Sequence, residues 1–291
     1  MLSDLSETFD APVTVKSIAV RTGTPDGSDA LESGTLEVSE DGKAFRELAK
    51  FQDGTAKAEP GGAKVRAIRI KPGTEASHPL TIREIALDSS PKVTPFAYPV
   101  EYTLDVSDSP EMKAWAEKAA RLCERWYPRI SEELKTDGYE PRRQVTLRIT
   151  TSYNGVAMAG GGRITGSTKF FQAHPDDLGA MIHETAHIIQ RYRSRNNPGW
   201  LVEGVADYVR FFKFEPGKIG PINAEKAHYN NSYRVTARFL DYLVEKYDKA
   251  LILKLNKAMR EGAYKEEMFK ELTGKTLPEL DEEWRATLKK K

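Results

Sequence analysis

The decapeptide MIHETAHIIQ, residues 181 to 190, places two of the chain's five histidines four apart, with a glutamate beside the first. On a helix, positions i and i+4 lie one turn apart on one face, so His183 and His187 can direct two imidazoles at one cation. Glu184 is rotated by about 100° from His183 and makes an awkward third ligand, but it can reach a water on the same metal. Metal-assisted hydrolysis of an amide needs that division of labour. Zinc polarises the carbonyl and acidifies its water, while the carboxylate takes the proton and later passes it to the leaving amine. Two histidines on one helix face also occur by accident, so the pattern has to be weighed against the rest of the chain.

A catalytic zinc takes three protein ligands and keeps one position open. GWLVEGVADYVR places Glu203 and Asp207 four apart on the next helical pattern, with Glu203 sixteen positions after His187. Glu203 can complete the site while Asp207 reaches the outer nitrogen of a ligating histidine and fixes its tautomer and orientation. The reverse assignment, with Asp207 as ligand and Glu203 in support, stays open. No histidine follows His187 at the short spacing of a three-histidine site. MIHETAHII and WLVEGVADYV are apolar enough to be buried, and charges buried there without a metal or partners would be costly. The five polar residues together therefore argue against accident.

These residues need elements that hold them. Residues 1 to about 94 read as all-β: TVKSIAVRTG, SGTLEVSEDG, KVRAIRIKPG and LTIREIALDS alternate between turns of Gly, Asp, Ser and Pro. SSPKVTPFAYP, with three prolines, reads as the linker. Beyond it, EMKAWAEKAARLCERWYPRISEEL has helical spacing, QVTLRITTSY is a strand, and RITGSTKFFQ reads as another after a glycine-rich bend. DDLGAMIHETAHIIQRYR, GWLVEGVADYVRFFKF, SYRVTARFLDYLVEKY, ALILKLNKAMREG, KEEMFKELTG and LPELDEEWRATLKKK then read as helices. The expectation is a multidomain chain: an N-terminal all-β sandwich over 1–94 and a C-terminal α+β domain over 95–291.

Composition narrows the classes of partner. At 291 residues and a net charge of +1, the chain has no field that would draw nucleic acid or an acidic membrane surface. The single cysteine, Cys123, can form no intramolecular disulfide and no thiolate cluster, and reads as a buried structural thiol. No apolar run is long enough for a membrane span. MLSDLSETFD lacks the regions of a secretory signal, so the expectation is either a cytosolic protein or an exported one whose leader is absent from this chain.

HExxH followed by a downstream ExxxD resembles the gluzincin metallopeptidases. HETAHIIQ, NNPGWLVEGVADYVR and SYRVTARFLDYLVEKY together resemble the plant basic secretory protein family and its bacterial relatives, over roughly residues 96 to 291. The resemblance implies a zincin-like zinc peptidase acting on proteins, peptides or glycoproteins, with one zinc per chain. It assigns His183, His187 and Glu203 to the metal, Glu184 to the base and Asp207 to the supporting shell. It also makes Tyr233 the residue that stabilises the oxyanion, with Tyr229 and His228 as runners-up. An edge strand before the zinc helix would pair with extended substrate; NGVAMAGGGRITGSTKFFQ takes that place, RITGSTKFF has the alternation of an edge strand, and Gly162, Arg163, Ile164 and Thr165 are the residues expected to meet the substrate. Secretion, to the periplasm, cell surface or medium, follows from the same resemblance. SGTLEVSEDGKAFREL, KVRAIRIKPG and LTIREIALDS resemble the later strands of a discoidin or coagulation-factor type C domain, here shortened, which implies a glycan partner.

Other residues have plainer roles. The glycines at 160 to 162 lack the Lys-Ser/Thr ending of a phosphate loop. His174, Asp176 and Asp177 suit a loop and helix start, His78 a turn, Trp200 the core rather than a pocket wall, and the final LKKK a solvated helix end. The competing reading of the whole chain is a non-catalytic, glycan-binding adhesion protein on a peptidase-like scaffold. The intact HExxH and ExxxD count against it.

Overall fold

The structure, a computed structural model, describes residues 4–24, 27–73, 78, 80–93, 96, 98–193 and 196–288. Linker residues Thr94, Pro95 and Ala97 and the terminal lysines 289–291 lie outside the described residues. The chain divides into two compact units, Met1–Glu101 and Tyr102–Lys291.

The first unit is one antiparallel sheet of β1 (Leu5–Thr22), β2 (Gly34–Ser39), β3 (Arg46–Lys50), β4 (Thr55–Ala58), β5 (Ala63–Pro72) and β6 (Ile82–Ser90). Among the described residues these strands form one sheet in place of the expected two-sheet sandwich, because β1 is long enough to be shared. Its first half pairs with β5, its second half with β4, and β6 runs along its other side. The Gln52↔Thr55 bridge joins β3 to β4, so the sheet nearly closes into a barrel. Alternating apolar residues such as Val13, Val15, Leu36, Val38, Ile68 and Ile70 fill its interior. RELAK and TAKA went unread as strands because each is short and polar.

The second unit is α+β. Its sheet has the order β7 (Glu101–Asp105), β8 (Gln144–Thr150), β10 (Arg163–Ser167), β9 (Ala157–Gly160). β10 lies parallel to β8 and antiparallel to β9. Around it stand α1 (Lys113–Glu133), α2 (Thr168–Ala173), α3 (Gly179–Gln190), α4 (Gly199–Tyr208), α5 (Tyr233–Lys246), α6 (Leu251–Glu261), α7 (Met268–Thr273) and α8 (Leu277–Leu288). Two local expectations change. RITGSTKFFQ is a strand only to Ser167, whose hydroxyl accepts from the Phe170 amide at 3.3 Å and so caps a helix. VRFFKF leaves α4 as a π-helical turn. Within NGVAMAGGGRITGSTKFFQ the edge lies in the first half of the stretch rather than in RITGSTKFF. β10 is paired on both sides and Ile164 is fully buried, so the exposed edge belongs to β9.

α3 is anchored from behind. The Cys123 thiol of α1 donates to the Met181 carbonyl at 3.6 Å, and the Tyr102 and Thr185 hydroxyls pair at 2.8 Å. Burial pushes the Cys123 thiol up to about 12, which suits an inert structural role. No helix among the described residues is long and apolar enough to cross a membrane.

Candidate metal centre

α3 and α4 bring three donor atoms to one point. Nε2 of His183 and Nε2 of His187 lie 3.0 Å apart, and Oε2 of Glu203 lies 3.2 Å from the first and 3.3 Å from the second. Bonds of about 2.1 Å to a tetrahedral zinc separate ligand atoms by about 3.4 Å, so the donor set, a little tighter than that, has the size and chemistry of a zinc triad. Among the described residues this is where three metal-capable side chains converge. An N₂O set also suits other divalent transition metals.

The outer nitrogens are held as well. Nδ1 of His183 lies 2.6 Å from Oδ1 of the buried Asp207. With Nδ1 turned to that carboxylate, Nε2 is the ring nitrogen that faces the centre. Nδ1 of His187 lies 2.7 Å from Oε1 of Gln190, whose Nε2 donates to the Val202 carbonyl at 3.0 Å. Gln190 thus ties the second imidazole to α4. It escaped the sequence reading, although a polar residue three positions after His187 on an otherwise apolar helix was a visible signal.

The electrostatics point to a positive charge at this spot. Burial alone would lower the His183 imidazole, but Asp207 and Glu203 outweigh it and hold it up at about 9. Burial alone would raise Glu203, but the two imidazoles outweigh it and hold it down at about 2. Glu184 behaves differently. Burial pushes its carboxyl up, the imidazoles oppose this, and its Oε2 is buried without a hydrogen-bond partner among the described residues. A buried carboxylate oxygen without a partner calls for one that the described side chains do not supply.

Close packing holds α4 in place. A Cβ on Gly204 would sit 2.2 Å from Cγ2 and 2.8 Å from Cβ of Thr236, so only glycine between Glu203 and Val205 lets α5 approach. At the start of α5, Ser232 and Tyr233 both have left-handed backbones, with φ of 63° and 48°. Tyr233 is 55% exposed, yet its ring stacks over His183 at 6.1 Å. Its hydroxyl is pushed up above all by the Glu203 carboxylate.

These groups line a cleft of about 1140 Å³ with the strand edge along one side. Val156 to Gly162 face it, with Tyr153 close by. Of the residues expected on that edge, Gly162 lines the cleft, whereas Arg163, Ile164 and Thr165 lie in the inner strand. His228 and Tyr229 lie elsewhere, bound to Asp281 of α8 through His228 Nδ1 at 3.1 Å and the Tyr229 amide at 2.7 Å. Trp200 is half-buried and packs on the half-buried Tyr229 and the buried Phe269, and it does not line the cleft. His174 stacks on Phe170, and Asp177 accepts from the Ala180 amide at 3.3 Å at the start of α3.

Residues 101–284 match the family model described as BSP, peptidase of plants and bacteria. No curated protein matches the chain. Among solved structures, the C-terminal domain of a chitobiase from Bacteroides fragilis is 18% identical over 30% of this chain, with a TM-score of 0.25; the match spans 62% of that chain's own length. A functionally unknown conserved protein from Bacillus anthracis is 10% identical over 98% of this chain and 73% of its own, with a TM-score of 0.31. A mutant of a functionally unknown conserved protein from the same organism gives a TM-score of 0.33 at the same identity and coverage.

Proposed function

The chain belongs to the BSP family of peptidases of plants and bacteria, and we propose that it cleaves peptide bonds of proteins or glycoproteins by a zinc-dependent mechanism of gluzincin type. The observation that carries this reading is the convergence of His183, His187 and Glu203 at 3.0 to 3.3 Å. His183, His187 and Glu203 would hold the metal, and Asp207 and Gln190 would orient the two imidazoles. When bound, zinc would supply a Lewis acid for the scissile carbonyl and acidify a water.

The remaining steps belong to side chains of this protein. Glu184, with its buried and unpartnered Oε2, takes a proton from the attacking water and returns it to the leaving nitrogen. Tyr233, over His183 and largely exposed, would donate to the developing oxyanion; its ring contact with His183 supports this role. The free edge of β9 offers amides and carbonyls to an extended substrate, which fixes the scissile bond against the centre.

Elemental analysis and a paired substitution test the reading. About one zinc per chain is expected to co-purify. Glu184→Gln is expected to keep that metal while hydrolysis of a protein substrate falls by roughly 10²–10⁴-fold, the usual size of a general-base contribution. A variant that retains activity, or a wild type with no metal after purification and none after zinc is added back, would sink the mechanism.

A further inference from the structure

We infer that one end of the cleft is a subsite for a carboxylate on the substrate, formed by Arg142 and Arg191; this rests on the peptidase reading above. That end lies between the bend at Gly160 to Gly162 and the C-terminal end of α3. Arg142 lies across the bend, since a Cβ on Gly162 would sit 3.3 Å from its Cδ, Nε and Cζ. Gly162 also has φ of 87°, so the path of the chain and the close approach both call for glycine. The Arg142 carbonyl accepts from the Tyr127 hydroxyl at 2.7 Å, which fixes where the side chain starts.

Arg191 comes from the opposite wall. It closes α3 and lies beside Tyr139, whose hydroxyl donates to the Ile189 carbonyl at 2.7 Å. Both guanidiniums lie near enough to Tyr127 and Tyr139 to oppose the upward shift that burial imposes on each phenol. Arg210 lines the same cleft but is neutralised by Asp177 at 2.6 Å and Glu215 at 2.7 Å. Among the described residues, neither Arg142 nor Arg191 has a carboxylate within ion-pair reach. The backbone of Arg191 is also unusual: its φ of 37° is the left-handed form that helix ends give to Gly or Asn. A long cation kept where the backbone disfavours it suggests that the charge itself is needed.

For a peptide that runs along α3 beside the edge of β9, helix and strand dimensions set the position along the cleft. Arg191 is one helical turn beyond His187, about 6 Å along the axis. That equals roughly two residues of extended chain at about 3.3 Å each. A peptide lying antiparallel to β9 passes Gly160 first. Its acidic residue would then sit second on the N-terminal side of the cut, where planar guanidiniums can take a carboxylate by two hydrogen bonds.

Profiling of the zinc-loaded protein on a peptide library tests this, with free and amidated C termini in separate arms. Asp and Glu are expected at that position over Asn and Gln by roughly tenfold, as for a partly exposed ion pair of good geometry. Arg142→Gln combined with Arg191→Asn should bring the ratio to about one, asparagine being at ease in the left-handed backbone. Arg191→Glu should shift the preference toward Lys and Arg. Enrichment confined to the free-carboxylate arm supports the subsite and names the substrate's C terminus as its ligand. As a readout independent of turnover, the Glu184→Gln protein should bind a labelled acidic peptide roughly tenfold more weakly once both arginines are replaced. An unchanged ratio together with unchanged affinity overturns the subsite. Loss of affinity in a protein whose wild type cleaves nothing overturns the peptidase reading and leaves the subsite standing.

Discussion

Asp207 and Gln190 each occupy Nδ1 of one imidazole, at 2.6 and 2.7 Å, and so leave both Nε2 atoms facing Glu203. The two supports differ in charge, and that predicts different consequences. Asp207→Asn keeps an acceptor of similar shape but removes the charge that favours a cation next to His183, so zinc affinity should fall by about 10–100-fold. Gln190→Leu frees the His187 ring and removes the tie to the Val202 carbonyl, with a loss toward the lower end of that range. Competition with a chelator of known affinity measures both, and two variants that bind zinc as tightly as the wild type would refute the supporting roles. The i, i+4 pairs His183/His187 and Glu203/Asp207 could be read in the sequence because helical spacing fixes which side chains share a face. Which carboxylate oxygen meets Nε2 and which meets Nδ1 depends on how two helices pack, and spacing within one helix carries no such information.

Packing of that kind is settled at Gly204. Gly204→Ala would drive a methyl into Thr236, forcing α4 away from α5 at a cost of about 1–3 kcal/mol and carrying Glu203 with it. Thr236→Ser removes Cγ2 while keeping the hydroxyl that donates to the Tyr229 carbonyl at 2.6 Å, so the double variant should recover part of the lost stability and zinc affinity. A double variant no better than Gly204→Ala alone would show that the contact does not set the helix spacing. α5 is tied to α8 by Glu283, whose Oε1 accepts from Tyr242 at 2.5 Å, Tyr247 at 2.6 Å and Lys246 at 2.7 Å, while Lys275 reaches Oε2. Burial opposes the charge, but these donors outweigh it and hold the carboxyl well below the usual range. A depressed carboxylate stabilises above its unfolded pKa, about 4.3, and loses that contribution as pH falls toward its folded value. Glu283→Gln should therefore cost about 1 kcal/mol at pH 7, solvent screening included, and progressively less below about pH 4 in denaturant titrations. A cost that is independent of pH would rule out the charge as its source. Long amphipathic elements such as α1, α3 and α5 were legible because their periodicity spans several turns. AMAG, RELAK and TAKA were not, because four or five small or charged residues form strands only when neighbours supply the hydrogen bonds.

Each unit has its own apolar interior, and the metal's contribution to stability belongs to one of them. The core of the first unit is drawn from residues between Phe9 and Val93, whereas the three donor side chains lie on α3 and α4 of the second. A ligand that binds only the folded state stabilises the unit that holds its ligating atoms, by about 2.7 kcal/mol when free zinc is a hundred times its Kd. For a unit of this size that corresponds to about 5–10 °C in Tm. Calorimetry with and without a chelator should therefore lower the transition of residues 102–291 by that amount and leave the transition of residues 4–101 in place. The double substitution His183→Ala and His187→Ala should have the lower Tm from the start and show no further response to chelator. A wild type whose second transition ignores both zinc and chelator would mean that His183, His187 and Glu203 form only an ion-pair cluster, in which the protonated His183 supplies the positive charge between the carboxylates.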